Sequence, residues 1–162
     1  MKKIYLAGPD VFLPDAKAHG ERLKALCARY GFEGLFPLDN ELSHPDPLVL
    51  AGMIRDANIA MIRRCDGVIA NLSPFRGPEP DSGTVWEVGF ARGLGKPVIA
   101  YSRDRRTLKA RTIDQLGLAG DASTDREGLA LENFGLSHNL MFAENVTADS
   151  FEEALALLAQ KG

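Results

Sequence analysis

Val68-Ile69-Ala70-Asn71-Leu72-Ser73-Pro74-Phe75-Arg76-Gly77-Pro78-Glu79-Pro80-Asp81-Ser82-Gly83-Thr84-Val85-Trp86-Glu87-Val88-Gly89-Phe90-Ala91-Arg92-Gly93-Leu94 is the stretch that decides how this chain folds. Val68 to Leu72 is a short apolar run that stops at Pro74, Gly77, Pro78 and Pro80, so it reads as a buried strand entering a stiff loop. A helix is predicted to start at Asp81 or Ser82. Either side chain can accept from the free amides of a first turn, and Thr84 to Leu94 has no proline and carries Val85, Val88, Ala91 and Arg92 at helical spacing. Glu87 then lies on the second turn, near the carboxyl end of the strand, which is where open parallel α/β sheets bind ligands. The helix amides and dipole there favour an ionised acid, the form that a nucleophile or base needs at neutral pH. Taken alone, these residues leave two readings open: an ordinary cap with a solvent-facing glutamate, or two carboxylates placed for chemistry.

The same rhythm extends to both sides. Ile4 to Ala7 reads as a first strand, ended by Gly8-Pro9, a turn at which backbone can approach a ligand. Asp15 to Tyr30 carries Ala18, Leu23, Leu26, Cys27 and Tyr30 at helical intervals and stops at Gly31, and Phe32 to Leu38 follows as a second strand. The polar segment from Asp39 to Pro47 is predicted to be a loop over the site. Leu48 to Cys65 places Val49, Leu50, Met53, Ile54, Ala57 and Met61 on one helical face, which is assigned to the core, with Asn58 one position past it. Val98 to Tyr101 is a fourth strand and Leu140 to Val146 a fifth. Ser150 caps a last helix, Phe151 to Gln160, with Glu153 completing a capping box. Residues 102–136 show no element beyond a helical turn near Leu129 to Phe134, and a loop of that length is usually functional or an interface. Alternating strands and helices imply a parallel sheet with right-handed crossovers.

Length and composition narrow the class. The 162 residues suit one domain spanning 1–162, and 45% hydrophobic with 25% charged residues is ordinary for a globular protein. No apolar run reaches the roughly 18 residues of a membrane span, and Met1 to Gly8 is too short and too soon interrupted for a signal peptide, so a cytoplasmic location is expected. A net charge of -3 offers no broad field for nucleic acid, and Arg103, Arg105, Arg106, Lys109 and Arg111 read as a solvated loop. Cys27 and Cys65 fall in apolar helical patterns and are expected to be buried free thiols. His19, His44 and His138 lack metal-ligand spacing, and no metal or cofactor is expected.

The stretch from Asn71 to Thr84, with the Trp86-Glu87-Val88-Gly89-Phe90-Ala91 that follows, resembles the signature of the nucleoside 2-deoxyribosyltransferase family. That signature has an Asp, a Gly-Thr and a Glu in this order and spacing. Tyr5-Leu6-Ala7-Gly8-Pro9 and Asn139-Leu140-Met141 resemble its other two motifs, so the resemblance spans nearly the whole chain. It implies a flavodoxin-like, doubly wound α/β domain with a five-stranded parallel sheet. The implied substrates are deoxyribonucleosides and free purine or pyrimidine bases. By the same resemblance Glu87 is the nucleophile at the anomeric carbon, Asp81 handles the base, and Tyr5 orients the nucleophile. Gly8 and Phe12 line the base pocket, and Asn58 contacts the base at a position where some members have aspartate. Asn139 reaches a neighbouring subunit's site to bind the sugar 5′-hydroxyl, which implies a homo-oligomer with shared sites. Some members end in a tyrosine whose carboxylate assists. This chain reads Ala159-Gln160-Lys161-Gly162 there, and that role is not carried over.

Two other functions fit the same fold: an N-glycosidase in which water opens the Glu87 ester, and a non-enzymatic nucleotide-binding module. Related hydrolases of 5′-monophosphates carry small hydroxyl residues and arginine after the first strand. Here the turn is Ala7-Gly8-Pro9-Asp10-Val11-Phe12, whose acidic Asp10 disfavours a phosphate.

Overall fold

Alternation along the first strand sorts its side chains onto two faces, and the two halves of the core follow from it. In the computed structural model, which describes residues 1–160, strand β1 (Lys2–Ala7) points Ile4 and Leu6 to one side and Tyr5 and Ala7 to the other. The reading of the terminus that involves Lys161 and Gly162 lies outside the described residues. Strands β2 (Phe32–Leu35), β3 (Gly67–Asn71), β4 (Val98–Tyr101) and β5 (Val146–Ala148) complete a five-stranded, all-parallel sheet in the order β2-β1-β3-β4-β5. This is the flavodoxin-like order, with its topological switch between β1 and β3. Helices α1 (Ala16–Arg29) and α5 (Phe151–Gln160) pack Leu23, Cys27, Leu155 and Leu158 on Ile4, Leu6 and Ile69. On the opposite face α2 (Pro47–Arg64) and α3 (Ser82–Gly93) bring Met61, Ile62, Val88 and Ala91 onto Tyr5, Val68 and Ala70. Every residue of β3 is buried, as a central strand covered on both sides must be.

The structure corrects the sequence reading at several places. Strand β2 stops at Leu35, because Pro37 offers no amide to a ladder and starts a short 3-10 turn, Pro37–Asp39, in which the Asp39 carboxylate accepts from the Phe36 amide at 2.9 Å. Pro47 belongs to α2 as its first residue, behind the Asp46 cap, whose side chain accepts from the Leu48 amide. The α2 face assigned to the core reaches it only at its C-terminal end: Met61 is buried, whereas Val49, Met53 and Ile54 are exposed. Residues 102–136 contain a helix the periodicity did not reveal, α4 (Leu108–Leu116), capped by Thr107 and ended by Gly117 at φ 59. No helical turn forms at Leu129 to Phe134. The fifth strand is the later and shorter Val146–Ala148, because the chain before it turns on Asn139 and winds a 3-10 turn, Ala143–Asn145. Cys27 and Cys65 are buried free thiols, as expected.

The basic cluster is not uniformly solvated either. Arg111 is 3% exposed, and its guanidinium donates to the carbonyls of Pro78, Asp104, Arg106 and Ser137, tying together three loops at the carboxyl end of the sheet. Five donors on a rigid planar fork suit such a junction, whereas an ammonium ion has only three. No helix among the described residues is long and apolar enough to cross a membrane.

Candidate active site

The switch between β1 and β3 opens a crevice at their carboxyl ends, and three elements bring side chains into it. The first is β1 itself. Tyr5 is fully buried on the face that carries α3, and its hydroxyl donates to Glu87 Oε1 at 2.7 Å. Burial and the charge of Glu87 push this phenol well above its usual range, so it remains a donor. Tyr5 thus combines a core position with a polar contact.

Glu87 lies on the second turn of α3 and has its pKa raised to about 7. Burial is the main cause; the Tyr5 hydrogen bond opposes it and the nearby Asp81 charge adds to it. This corrects the expectation drawn from the helix dipole. The dipole acts at the first turn and is weak beside the cost of desolvating a carboxylate, so near pH 7 Glu87 is present in both charged and neutral forms. Only Oε1 is hydrogen-bonded among the described residues, which leaves Oε2 available.

Asp81 is the cap of α3. Its Oδ2 accepts from both the amide and the hydroxyl of Thr84, each at 2.9 Å, while Oδ1 has no partner among the described residues. Asp81, Glu87 and Thr84 line a cavity of about 410 Å³ together with Gly8, Phe12, Asn58, Leu38 and Ile54. The wall is mostly apolar with a few polar groups, the usual make-up of a small-molecule site. Gly8 admits no side chain: an added Cβ would lie 2.7 Å from Asp10 Oδ2 and 2.9 Å from the Asn71 Cβ. Phe12 is 58% exposed and stacks on Phe75 with centroids 5.5 Å apart, under the Arg76 guanidinium. Arg76 has a backbone φ of 55°, costly for a non-glycine residue, and contact with two rings helps to offset it.

Asn58, one position past the apolar face of α2, faces the cavity. Asn139 is not brought to this cavity within its own chain. It donates to Glu132 at 2.7 Å, accepts from the Met141 amide, and lines a separate groove with Pro80, Val85 and Phe142. Beside it His138 is fully buried, bridging Leu72 O and Ser137 Oγ, and burial lowers its pKa to about 4, so it is neutral. Sequence reasoning assigned no site role to Thr84, Asn40 or Arg111, although Thr84 stands in the Gly-Thr of the quoted signature. Only Thr84 left a signal, its place three residues after a capping aspartate.

Comparison with known proteins adds a family. The family model for nucleoside 2-deoxyribosyltransferase matches residues 4–141. A 2-desoxiribosyltransferase from Leishmania mexicana is 40% identical and superposes with a TM-score of 0.80, over 99% of this chain and 98% of that one. A conserved protein from Enterococcus faecalis V583 is 22% identical with a TM-score of 0.62, covering 100% of this chain and 99% of that one. A 2-deoxyribosyltransferase from Bacillus psychrosaccharolyticus is 23% identical with a TM-score of 0.54, covering 70% and 81%. These last two likenesses show the fold alone. An uncharacterized protein of Schizosaccharomyces pombe is 30% identical over 155 residues, 85% of this chain and 74% of that protein.

Proposed function

From the premise that this chain belongs to the nucleoside 2-deoxyribosyltransferase family and is an enzyme of that kind, we propose that Glu87, Asp81 and Tyr5 move a 2-deoxyribosyl group between bases through a covalent ester. The observation that carries this reading is the Tyr5–Glu87 hydrogen bond of 2.7 Å at the edge of a cavity that also holds Asp81. Glu87 Oε2 attacks the anomeric carbon, the bond to the base breaks with its electron pair staying on the base, and Asp81 in its neutral form gives that base a proton. The product is a deoxyribosyl ester of Glu87 and a free base. A second base then attacks the same carbon from the face the first one left, Asp81 takes up the proton it sheds, and the carboxylate is released. Two inversions give net retention. Incubation with deoxyinosine and adenine tests the reading: deoxyadenosine is the expected product, free base and sugar alone would indicate hydrolysis, and no change would leave only binding. Asp10, buried behind the Gly8 turn and accepting from Asn71, supports an unphosphorylated substrate.

The Glu87 pKa makes a pH prediction. A nucleophile must be ionised, so kcat/KM is expected to level off above an inflection near pH 7 and to fall about tenfold per pH unit well below it. The Tyr5 hydrogen bond lowers the Glu87 pKa, so Tyr5→Phe should move this inflection to higher pH and reduce the plateau. A profile flat from pH 5 to pH 8, or an inflection that moves down in Tyr5→Phe, would contradict the assignment.

Asn139 completes the site from a neighbouring copy in this proposal. Its place in a separate groove supports that arrangement, as do the exposed apolar residues Leu48, Trp86 and Met141, which suit burial against a second copy. Glu87→Ala and Asn139→Ala chains, each expected to have little activity alone, should regain transfer when refolded together, because a mixed oligomer then contains one intact site. No recovery in mixtures shown to hold both chains would refute shared sites.

A further inference from the structure

Two polar atoms in the cavity wall stand out because nothing satisfies them. Asn40 Nδ2 and Asn58 Oδ1 are both shielded from solvent, neither has a hydrogen-bond partner among the described residues, and both residues line the same cavity. More than nine-tenths of buried polar groups in folded proteins are paired, so two orphans in one cavity point to a ligand. The wall they share also holds the apolar Leu38, Leu42, Ile54 and Ala57, with the acids Asp81 and Glu87 and the hydroxyl of Thr84. The two asparagines come from different elements. Asn40 follows the 3-10 turn Pro37–Asp39, and Asn58 lies in the C-terminal half of α2. One presents a donor and the other an acceptor, the complement of a planar edge that has an acceptor beside a donor.

Resting on the reading that this cavity takes a nucleobase, we propose that Asn40 is a second base-reading residue, and that Asn40 and Asn58 together bind the hydrogen-bonding edge of the base in either polarity. Adenine and cytosine offer an unprotonated ring nitrogen beside an amino group. Hypoxanthine, guanine and thymine offer a ring N–H beside a carbonyl, the reverse order. An amide held by a second hydrogen bond reads one of these edges. Neither amide here is so held among the described residues, so each turns over to present N–H or oxygen as the base requires. Two such amides accept both edges, whereas a carboxylate, which only accepts, would fix the polarity at its own position.

The test compares adenine and hypoxanthine as acceptors, with deoxythymidine as the common donor at pH 8, in the wild-type chain and in Asn40→Asp, Asn58→Asp and Asn40→Leu. The wild type is expected to use both bases with kcat/KM values within about tenfold. Each aspartate leaves one acceptor base with an unpaired buried group, a loss of about tenfold or more. The two asparagines face neighbouring positions of opposite polarity, so Asn40→Asp and Asn58→Asp should shift the adenine-to-hypoxanthine ratio in opposite directions. Asn40→Leu should lower both bases by a similar factor. The inference is overturned if Asn40→Asp scales both bases equally, if the two aspartate variants shift the ratio the same way, or if the wild type separates the bases by more than a hundredfold. Calorimetric binding of the two free bases to the same proteins measures the ratio without any chemistry. An absence of turnover would therefore refute the transfer reading while the edge reading is still decided by affinity.

Discussion

Replacing Glu87 with alanine is expected to lower both transfer and hydrolysis by roughly three or more powers of ten, since a positioned nucleophile accounts for several kcal/mol of barrier. Retention of more than a tenth of the wild-type rate would refute the nucleophile assignment. Loss of activity through unfolding is excluded by a second expected result. The Glu87 pKa is raised from 4.5 to about 7 in the folded chain, so between those values the native state holds the proton more tightly than the unfolded state does. Stability from this group is therefore present at low pH and is lost as pH rises through that window. Glu87→Gln, which keeps the shape and removes the charge, should melt higher than wild type at pH 8, on the order of a few degrees, with little gain at pH 4. A lower melting temperature at pH 8 would show that the ionised carboxylate is a structural asset and that burial does not disfavour it.

Asp81→Asn is expected to cut turnover by about two powers of ten or more while moving the melting temperature little. Asparagine caps helices nearly as well as aspartate, and its side-chain oxygen can still accept from the Thr84 amide and hydroxyl that now hold Oδ2. Those two contacts account for the structural part of the residue. What the amide cannot do is exchange a proton with a ring nitrogen from the Oδ1 position. Activity and melting temperature falling together, or neither changing, would reduce Asp81 to a cap. Replacing Thr84 with valine provides the complementary measurement, because it removes one of the two bonds that aim the carboxylate and leaves the carboxylate itself in place.

The strands and helices around the crevice were legible in the sequence wherever local signals were strong and agreed with one another. Val68–Leu72 between turn residues, the aspartate cap before a proline-free helix, and the alternation of strand and helix led to a parallel sheet and put Glu87 on the second turn. Boundaries shifted where a proline acted as a helix start or strand end, at Pro37 and Pro47. Helix α4 escaped because it is short and set among polar and glycine-bearing residues, and because one of its two buried residues, beside Leu108, is Arg111, whose partners are backbone carbonyls from three distant loops. No periodicity reports such a junction. The exposed N-terminal part of α2 misled for the opposite reason: an apolar stripe records which face avoids water, but not whether this chain, a ligand or another copy covers it. Local sequence thus determined the elements, their order and the presence of two acids at the mouth of a sheet. The family resemblance paired Tyr5 with Glu87, but tertiary structure decided the geometry of that contact, that Glu87 carries a raised pKa, and that Asn40 and Asn58 face one cavity. These depend on distances across 82 residues of chain in the first case, and on how much water each packed group loses, quantities set by the whole fold.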